Sequence, residues 1–512
     1  MAAKTKTSLM QRFLNIIERG GNALPHPATL FLILALLVLV VSLIGHLLGW
    51  EITHPATGEI VKTKNLLSAE GLHFILERSV TNFTDFAPLG VVLVAMLGIG
   101  VAESSGLIAV AIRLLVLKAP RNMLTFVLVF TGILSNMASE IGYVLLVPMA
   151  GVIFIVIGRH PIIGMAAAFA GVSGGYSANL FLGAIDPLLA GLSEEAAQII
   201  DPNYTVNPTA NYYFMIVSTL IISVIGTWVT EKIIAPRFGD YKPDSDSEEV
   251  KLDRLTIREK KGLRNVTILF IVFTALILIG SIPSNGILRN EEGSLLNSPL
   301  LRGVVTLLFL IAGSMGIVYG ITVGKFKNDS DIMKGMADSM KTLATYLVLV
   351  FFAAQFVAYF KISNLGIVLA VNGAEALKAA NLNIYILMIM FILFASTINM
   401  LMGSASAKWA ILAPVFIPIF MLMGYSPELS QAVFRIGDSV TNIISPMMSF
   451  FALIIAFFQK YDKDAGIGTI ISTMIPYSIL FFIAWTILLI VWIYFKIPLG
   501  PDSPLFYEGA NM

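Results

Sequence analysis

The chain contains no cysteine, which excludes disulfides, thiolate metal sites and cysteine nucleophiles. Histidine is scarce. The five residues His26, His46, His54, His73 and His160 all lie near loops or the ends of apolar runs, which argues against a histidine-based metal or protease site. There is no Walker A sequence and no HExxH, so neither nucleotide hydrolysis nor zincin chemistry has a motif to rest on, and nothing resembles a nucleic-acid-binding module. Charge is scarce as well: 13% of the 512 residues are charged against 57% hydrophobic, with a mean hydropathy of +0.85. That is too little charge to solvate a globular surface of this size, so most of the surface must face lipid.

The apolar runs alternate between full spans and shorter pieces. Crossing about 30 Å of hydrocarbon takes roughly 20 helical residues. Runs such as 28–50, 211–231 and 266–285 meet that length, whereas 124–134, 144–157 and 410–424 do not. The expected fold is therefore an all-α polytopic membrane protein with about nine transmembrane helices and two re-entrant hairpins. Lys4, Lys6, Arg12 and Arg19, followed by Pro25, Pro27 and a full-length span, read as an uncleaved N-terminal arm rather than a signal peptide.

The net charge of +1 hides an asymmetry. Basic residues cluster in the N-terminal arm, in 113–121, in 232–264 with nine Lys or Arg, in 325–341 and around Lys460 and Lys463. The positive-inside rule makes these segments and the N-terminus cytoplasmic, and it puts the loops 51–80, 190–210 and 288–299 outside. The expected organisation is a cytoplasmic arm (1–27), scaffold helices (28–123), a first repeat (124–232), a solvated cytoplasmic linker (233–265), a second scaffold group (266–382), a second repeat (383–495) and a tail (496–512). Ile332, Met333, Met336 and Met340 fall at helical spacing, so 326–342 reads as an amphipathic surface helix.

The two repeats share their punctuation. Pro148, Gly158, Pro161, Gly171 and Ser173 recur 266 positions later as Pro414, Gly424, Pro427, Gly437 and Ser439. A membrane chain that repeats its helix-breaking pattern in two halves is built like a secondary transporter, with the substrate site where the halves meet. Within each repeat, small polar residues interrupt the apolar arms: Asn136, Ser139 and Glu140 in 131–148, and Asn399, Ser404, Ser406, Lys408 and Trp409 in 395–414. Backbone breaks at bilayer depth are tolerated only where they line a cavity. A second polar cluster follows each hairpin, at 171–187 with Asn179 and Asp186, and at 434–446 with Arg435, Asp438, Asn442 and Pro446. Both clusters read as unwound, oxygen-rich helix.

Arg435 and Asp438 are three residues apart and share a helix face. Charges at bilayer depth face a cavity or each other, which makes the pair either functional or a structural fastener. Glu140 and Lys408 are hairpin residues for which exposure at a tip is equally open. Trp409 fits interfacial or core packing as well as substrate stacking.

The runs SASAKW (404–409), FRIGDSVTNIISPMM (434–448) and SANLFLGAIDPLLAG (177–191) resemble the AbgT family of p-aminobenzoyl-glutamate transporters, and the resemblance extends over most of the chain. It implies a homodimer in the bacterial inner membrane, each protomer with nine spans and two hairpins arranged as inverted repeats, around a cytoplasm-facing bowl. It further implies import of p-aminobenzoyl-glutamate or export of sulfonamide antimetabolites, driven by a cation gradient. Asp186, Ser406, Trp409, Pro427, Arg435, Asp438 and Pro446 would then line the transport route. Asn136 and Ser139 join them by repeat logic alone.

The chemistry is compatible with that family. A guanidinium clamps a carboxylate by two N–H bonds, a half-helix N-terminus receives a second carboxylate, and Trp409 offers a face to an aromatic ring. Asp438, Asn442 and Asn179 supply oxygens for Na⁺, and a buried carboxylate alone suffices for H⁺, so the coupling ion stays open. No cofactor is expected. The rival readings are a dicarboxylate symporter of similar architecture, a passive channel or scaffold, and a membrane enzyme lacking a histidine partner for its serines.

Overall fold

A computed structural model describes residues 25–53, 58–137, 141–238, 255–296 and 298–511. Ser139, Glu140, His54, most of the N-terminal arm and the centre of the 233–265 linker fall outside these residues. In the first half, α1 (Pro27–Leu47), a small β-hairpin of β1 (Glu51–Thr53) and β2 (Ile60–Lys62), α2 (Ala69–Thr84), α3 (Ala87–Ser105) and α4 (Leu107–Leu117) precede the first polar hairpin. That hairpin has arms α5 (Leu124–Ser135) and α6 (Val147–Val156). It leads into α7 (Pro161–Phe169), α8 (Ile185–Ala197) and α9 (Tyr212–Val229). The chain continues through α10 (Ile257–Ser281), α11 (Val304–Val323), α12 (Asp329–Thr342), α13 (Ala344–Ile362) and α14 (Leu365–Ala379). The second hairpin has arms α15 (Ile384–Leu401) and α16 (Ala405–Leu422), followed by α17 (Pro427–Asn442), α18 (Phe451–Gln459) and α19 (Ile467–Tyr494).

Among the described residues, nine helices are long and apolar enough to cross a membrane, matching the expected number. The set differs in one respect. The arms Ile384–Leu401 and Ala405–Leu422 belong to it, so the second hairpin is not built from arms too short to span. Their 18 residues each extend about 27 Å at 1.5 Å per residue. The first hairpin does have short arms, and α4 meets the next helical stretch at a bend of 114°.

Each hairpin is followed by a helix broken near its middle, for a local reason that the sequence contains. In the first half, α7 runs into a π-helical turn, Ala170–Gly174, and regular helix resumes only at Ile185. Gly171 and Gly175 lie where a Cβ would strike Val129 O and Ile133, so the helix can press onto α5 only without side chains there. The letters GVSGG at 171–175 match G-x-S-x-G, but they lie in helix, not in the strand–turn–helix elbow that exposes a nucleophile.

In the second half, the expected unwinding at 434–446 is misplaced. FRIGDSVTN is regular helix to Asn442, and the break covers 443–450. Pro446 explains the shift, since the residue before a proline is pushed out of helical conformation and proline offers no N–H.

Two sets of contacts fix the directions of the broken helices. At one end, His160 packs its ring on Phe238 at 5.2 Å, with Gly151 near Tyr461. At the other, Leu499 O accepts from Tyr213 N and Phe214 N, Ser426 N donates to Leu505 O, and Tyr507 N donates to Gly424 O. Residues 213 and 238 are the two ends of one continuous helical stretch. The first broken helix therefore starts at the end where the second one finishes.

The surface helix expected at 326–342 is present as α12. Its buried face is made by Gly335 and Ser339, with Ser339 Oγ donating to Met96 O at 2.9 Å, while Met333 is exposed.

Candidate functional site

The site is organised by one helix. Along α17 the residues Glu428, Gln431, Arg435, Asp438 and Asn442 recur at steps of three and four, which aligns them on one face, and all five are buried. This reverses the usual arrangement of an amphipathic helix, whose polar stripe meets water. Each member therefore needs a partner inside the protein, because an unpaired buried polar group costs about 1–3 kcal/mol and a charge more.

The partners come from both halves. Arg435 pairs with Asp186 across the repeats, Nη2 to Oδ1 at 2.7 Å with both side chains almost fully buried. Asp186 also accepts from Gly183 N at 2.7 Å through Oδ2, which fixes the start of α8. Asp438 pairs with Lys408 of the second hairpin, Oδ1 to Nζ at 2.5 Å, both sealed from solvent. Arg435 and Asp438 thus bind separate counter-charges rather than each other, and Lys408 is an interior residue rather than an exposed tip. Lys408 Nζ also donates to Asn399 Oδ1. The amide of Asn399 in turn donates to Asp438 O at 2.6 Å and to Thr441 Oγ1 and Asn442 Oδ1, both at 2.9 Å. Residue 437 must be glycine for this seam to close, since a Cβ there would lie 2.6 Å from Ile392 O and 2.7 Å from Ala395 Cβ.

Trp409 is fully buried. Its ring stacks on Phe434 with centroids 4.5 Å apart, and Nε1–H donates to Ser193 Oγ at 2.9 Å. From there Ser193 Oγ donates to Gln431 Oε1, Gln431 Nε2 to Asn211 Oδ1, and Asn211 Nδ2 to Glu428 O. In this conformation one face of the indole is taken by the protein. Ser177 N donates to Ser439 Oγ at 3.1 Å, joining the first break directly to α17.

The remaining sequence candidates are more scattered. Pro427 opens α17 at the far end, beside the Ser426 cap. Ser406 Oγ lies 3.2 Å from Ser404 Oγ at the start of α16. Asn179 Oδ1 accepts from Leu180 N and Phe181 N and shapes the first break, and Pro446 lies in the second break. Asn136 is buried at the first hairpin tip, with neither amide atom hydrogen-bonded among the described residues, and its carbonyl is 3.1 Å from where a Cβ on Gly183 would stand. Sequence reasoning left Gln431, Ser193, Asn211 and Glu428 unassigned. The three-four spacing of polar letters in α17 was the signal that marks the whole stripe as buried.

The cavity against Arg435, bounded by Ser177, Asn211 and Trp485 among others, measures only about 10 Å³, room for about one water. A larger cavity of about 680 Å³ lies elsewhere, in an apolar cleft bordered by Leu34, Phe356 and Leu365. Among the described residues no group of three or more His, Cys, Asp or Glu side chains is placed to hold a metal ion.

The model of the AbgT putative transporter family matches residues 12–507. The chain belongs to the AbgT family. Its relatives include the p-aminobenzoyl-glutamate transport protein of Escherichia coli (strain K12), 37% identical over 486 residues that make up 95% of each chain. MtrF of Neisseria gonorrhoeae, described among antimetabolite efflux pumps, is 51% identical with a TM-score of 0.92, covering 96% of this chain and all of that one. The YdaH transporter of Alcanivorax borkumensis is 45% identical with a TM-score of 0.89, covering 93% of this chain and all of its own. As an AbgT member the chain is a multi-pass membrane transporter and not an enzyme, which removes the membrane-enzyme reading.

Proposed function

We propose that this AbgT transporter moves p-aminobenzoyl-glutamate or a related aromatic carboxylate across the bacterial inner membrane in exchange for, or together with, a cation, and that sulfonamide antimetabolites are among its export substrates. The observation that carries this reading is the cross-repeat pair Arg435–Asp186. It places one guanidinium where the two broken helices meet, and a carboxylate substrate can replace Asp186 as its partner. An anionic substrate is thereby recognised by the group that opens the seam. With only about 10 Å³ free beside Arg435, the seam between the first break and α17 has to part for any substrate to enter.

The opposite directions of the two broken helices support an inverted repeat, and alternating access by relative motion of the halves follows from it. The N-terminus is cytoplasmic in this reading. The protein acts as a homodimer in the bilayer, consistent with α10 and α11, whose apolar spans are only 11% and 22% buried within one chain. Asp438 and Asn399 converge as oxygen donors suited to Na⁺, whereas Asn442 accepts from the amide of Asn399 and Asn179 is turned to its own backbone. H⁺ remains the alternative coupling ion, carried by Asp438 or Asp186.

The test is uptake of labelled p-aminobenzoyl-glutamate into proteoliposomes under a Na⁺ gradient, a pH gradient or neither. Gradient-dependent flux that competes with sulfonamides supports the proposal. Flux of an aliphatic dicarboxylate in its place would favour the dicarboxylate reading, and gradient-independent flux would point to a channel.

A further inference from the structure

We propose that the ammonium of Lys408 is a tethered cation standing in the position the coupling Na⁺ takes, so that Na⁺ binds only by displacing Lys408 from Asp438. This rests on the transporter reading above and deepens it.

Two observations carry the inference. The first is the orientation of Asn399. Its amide NH₂ is committed to Asp438 O, Thr441 Oγ1 and Asn442 Oδ1, so its oxygen faces the other way, toward a cation. Lys408 Nζ meets that oxygen and Asp438 Oδ1 together. Two oxygens from different helices, one of them charged, converge on a single positive group, as they would on a small metal cation.

The second is the balance of charge. Around the middle of α17 two carboxylates, Asp186 and Asp438, meet two cations, Arg435 and Lys408, in two separate pairs, while the buried Glu428 two turns earlier accepts from Tyr204. These two pairs together are neutral as they stand. Na⁺ added to the same two oxygens without removal of a positive charge would stand within a few Å of the Lys408 ammonium, a like-charge contact in a dry interior. Arg435 is held across the repeats by Asp186, whereas Lys408 sits on a flexible four-carbon stem one turn into a hairpin arm and is the cation free to swing away. One positive charge then leaves Asp438 for each Na⁺ that arrives.

A purely structural fastener would behave differently, and a thermal-shift experiment on purified full-length protein separates the two. Wild type, Lys408→Met and Lys408→Gln are melted in NaCl and in choline chloride at equal ionic strength and constant pH. The tethered cation predicts that the neutral variants melt low in choline and are restored by Na⁺, with half-maximal Na⁺ at least tenfold below that of wild type. Lys408→Gln, which keeps a donor for Asn399, gives the reading if Lys408→Met cannot be purified. Variants that melt equally low in both salts, or that need as much Na⁺ as wild type, overturn the inference. If gradient-driven transport persists while neither wild type nor variants respond to Na⁺, this inference fails and the transporter reading stands. If no flux is seen at all, the transporter reading itself fails.

Discussion

Removing the charge of either Asp186 or Arg435 should cost far more stability than removing both. The two groups are 2.7 Å apart with side chains 5% and 2% exposed. Coulomb's law at an effective dielectric of about 20 gives roughly 6 kcal/mol for that separation. Desolvation consumes most of that gain, which is why breaking one side of a buried pair costs about 3–5 kcal/mol while replacing both sides is often neutral. Asp186→Asn is the suitable single change, because an amide oxygen still caps Gly183 N. Arg435→Met is its counterpart, retaining much of the apolar stem. Each alone should lose about 3 kcal/mol or more in equilibrium unfolding in mixed micelles, and the double variant should lose only about 1 kcal/mol, a coupling of about 5 kcal/mol. The double variant should nevertheless fail to transport, since the guanidinium is gone. If the two single costs simply add within about 0.5 kcal/mol, the pair does not interact as described and the reasoning is refuted.

Other expectations follow from the same geometry. Gly437→Ala should destabilise by about 1–3 kcal/mol through overpacking, because its Cβ would lie 2.6 Å from Ile392 O; a melting curve equal to wild type would contradict the close approach of α15 and α17. Trp409→Phe should cost about 1–2 kcal/mol for the lost N–H bond to Ser193, and Trp409→Ala about 3–5 kcal/mol, both read by thermal unfolding without substrate. His160 caps α7 through Nδ1, which accepts from Ile162 N at 3.3 Å, and burial holds its imidazole below the ordinary value despite the opposing charge of Asp462. The unfolded chain therefore takes up the proton first, so stability is full above about pH 6.5 and falls as the pH drops toward the lower folded value. His160→Asn should remove that slope from a melting-temperature profile, and an unchanged profile would exclude His160 as its source.

Much of this was legible in the sequence because bilayer physics leaves few options. Apolar run lengths gave the count of spans, and the recurrence of Pro148 to Ser173 as Pro414 to Ser439 located both broken helices. What the letters could not give was pairing. Arg435 and Asp438 share a face at i,i+3, and nothing local says that Asp186 and Lys408, hundreds and tens of residues away, supply their counter-charges. Lys408 read equally well as an exposed tip because burying a lysine needs a partner that only tertiary structure brings. The sequence suggests unwinding before Asn442 because Gly437 reads as a breaker, yet the run is helical to that residue. In the fold that glycine admits α15, and Pro446 does the breaking.

The chain lacks cysteine, so a single engineered disulfide tests the central claim without background. Ser177 N donates to Ser439 Oγ at 3.1 Å, so the two residues adjoin across the seam, and Ser177→Cys with Ser439→Cys, oxidised directly or joined by a short reducible bifunctional thiol reagent, ties it shut. Transport of labelled p-aminobenzoyl-glutamate into proteoliposomes, measured on this double variant before and after reduction, is the decisive measurement. The account predicts that oxidation stops gradient-driven flux and that reduction restores it. Equal flux with the bridge fully formed would contradict an alternating path between the first break and α17.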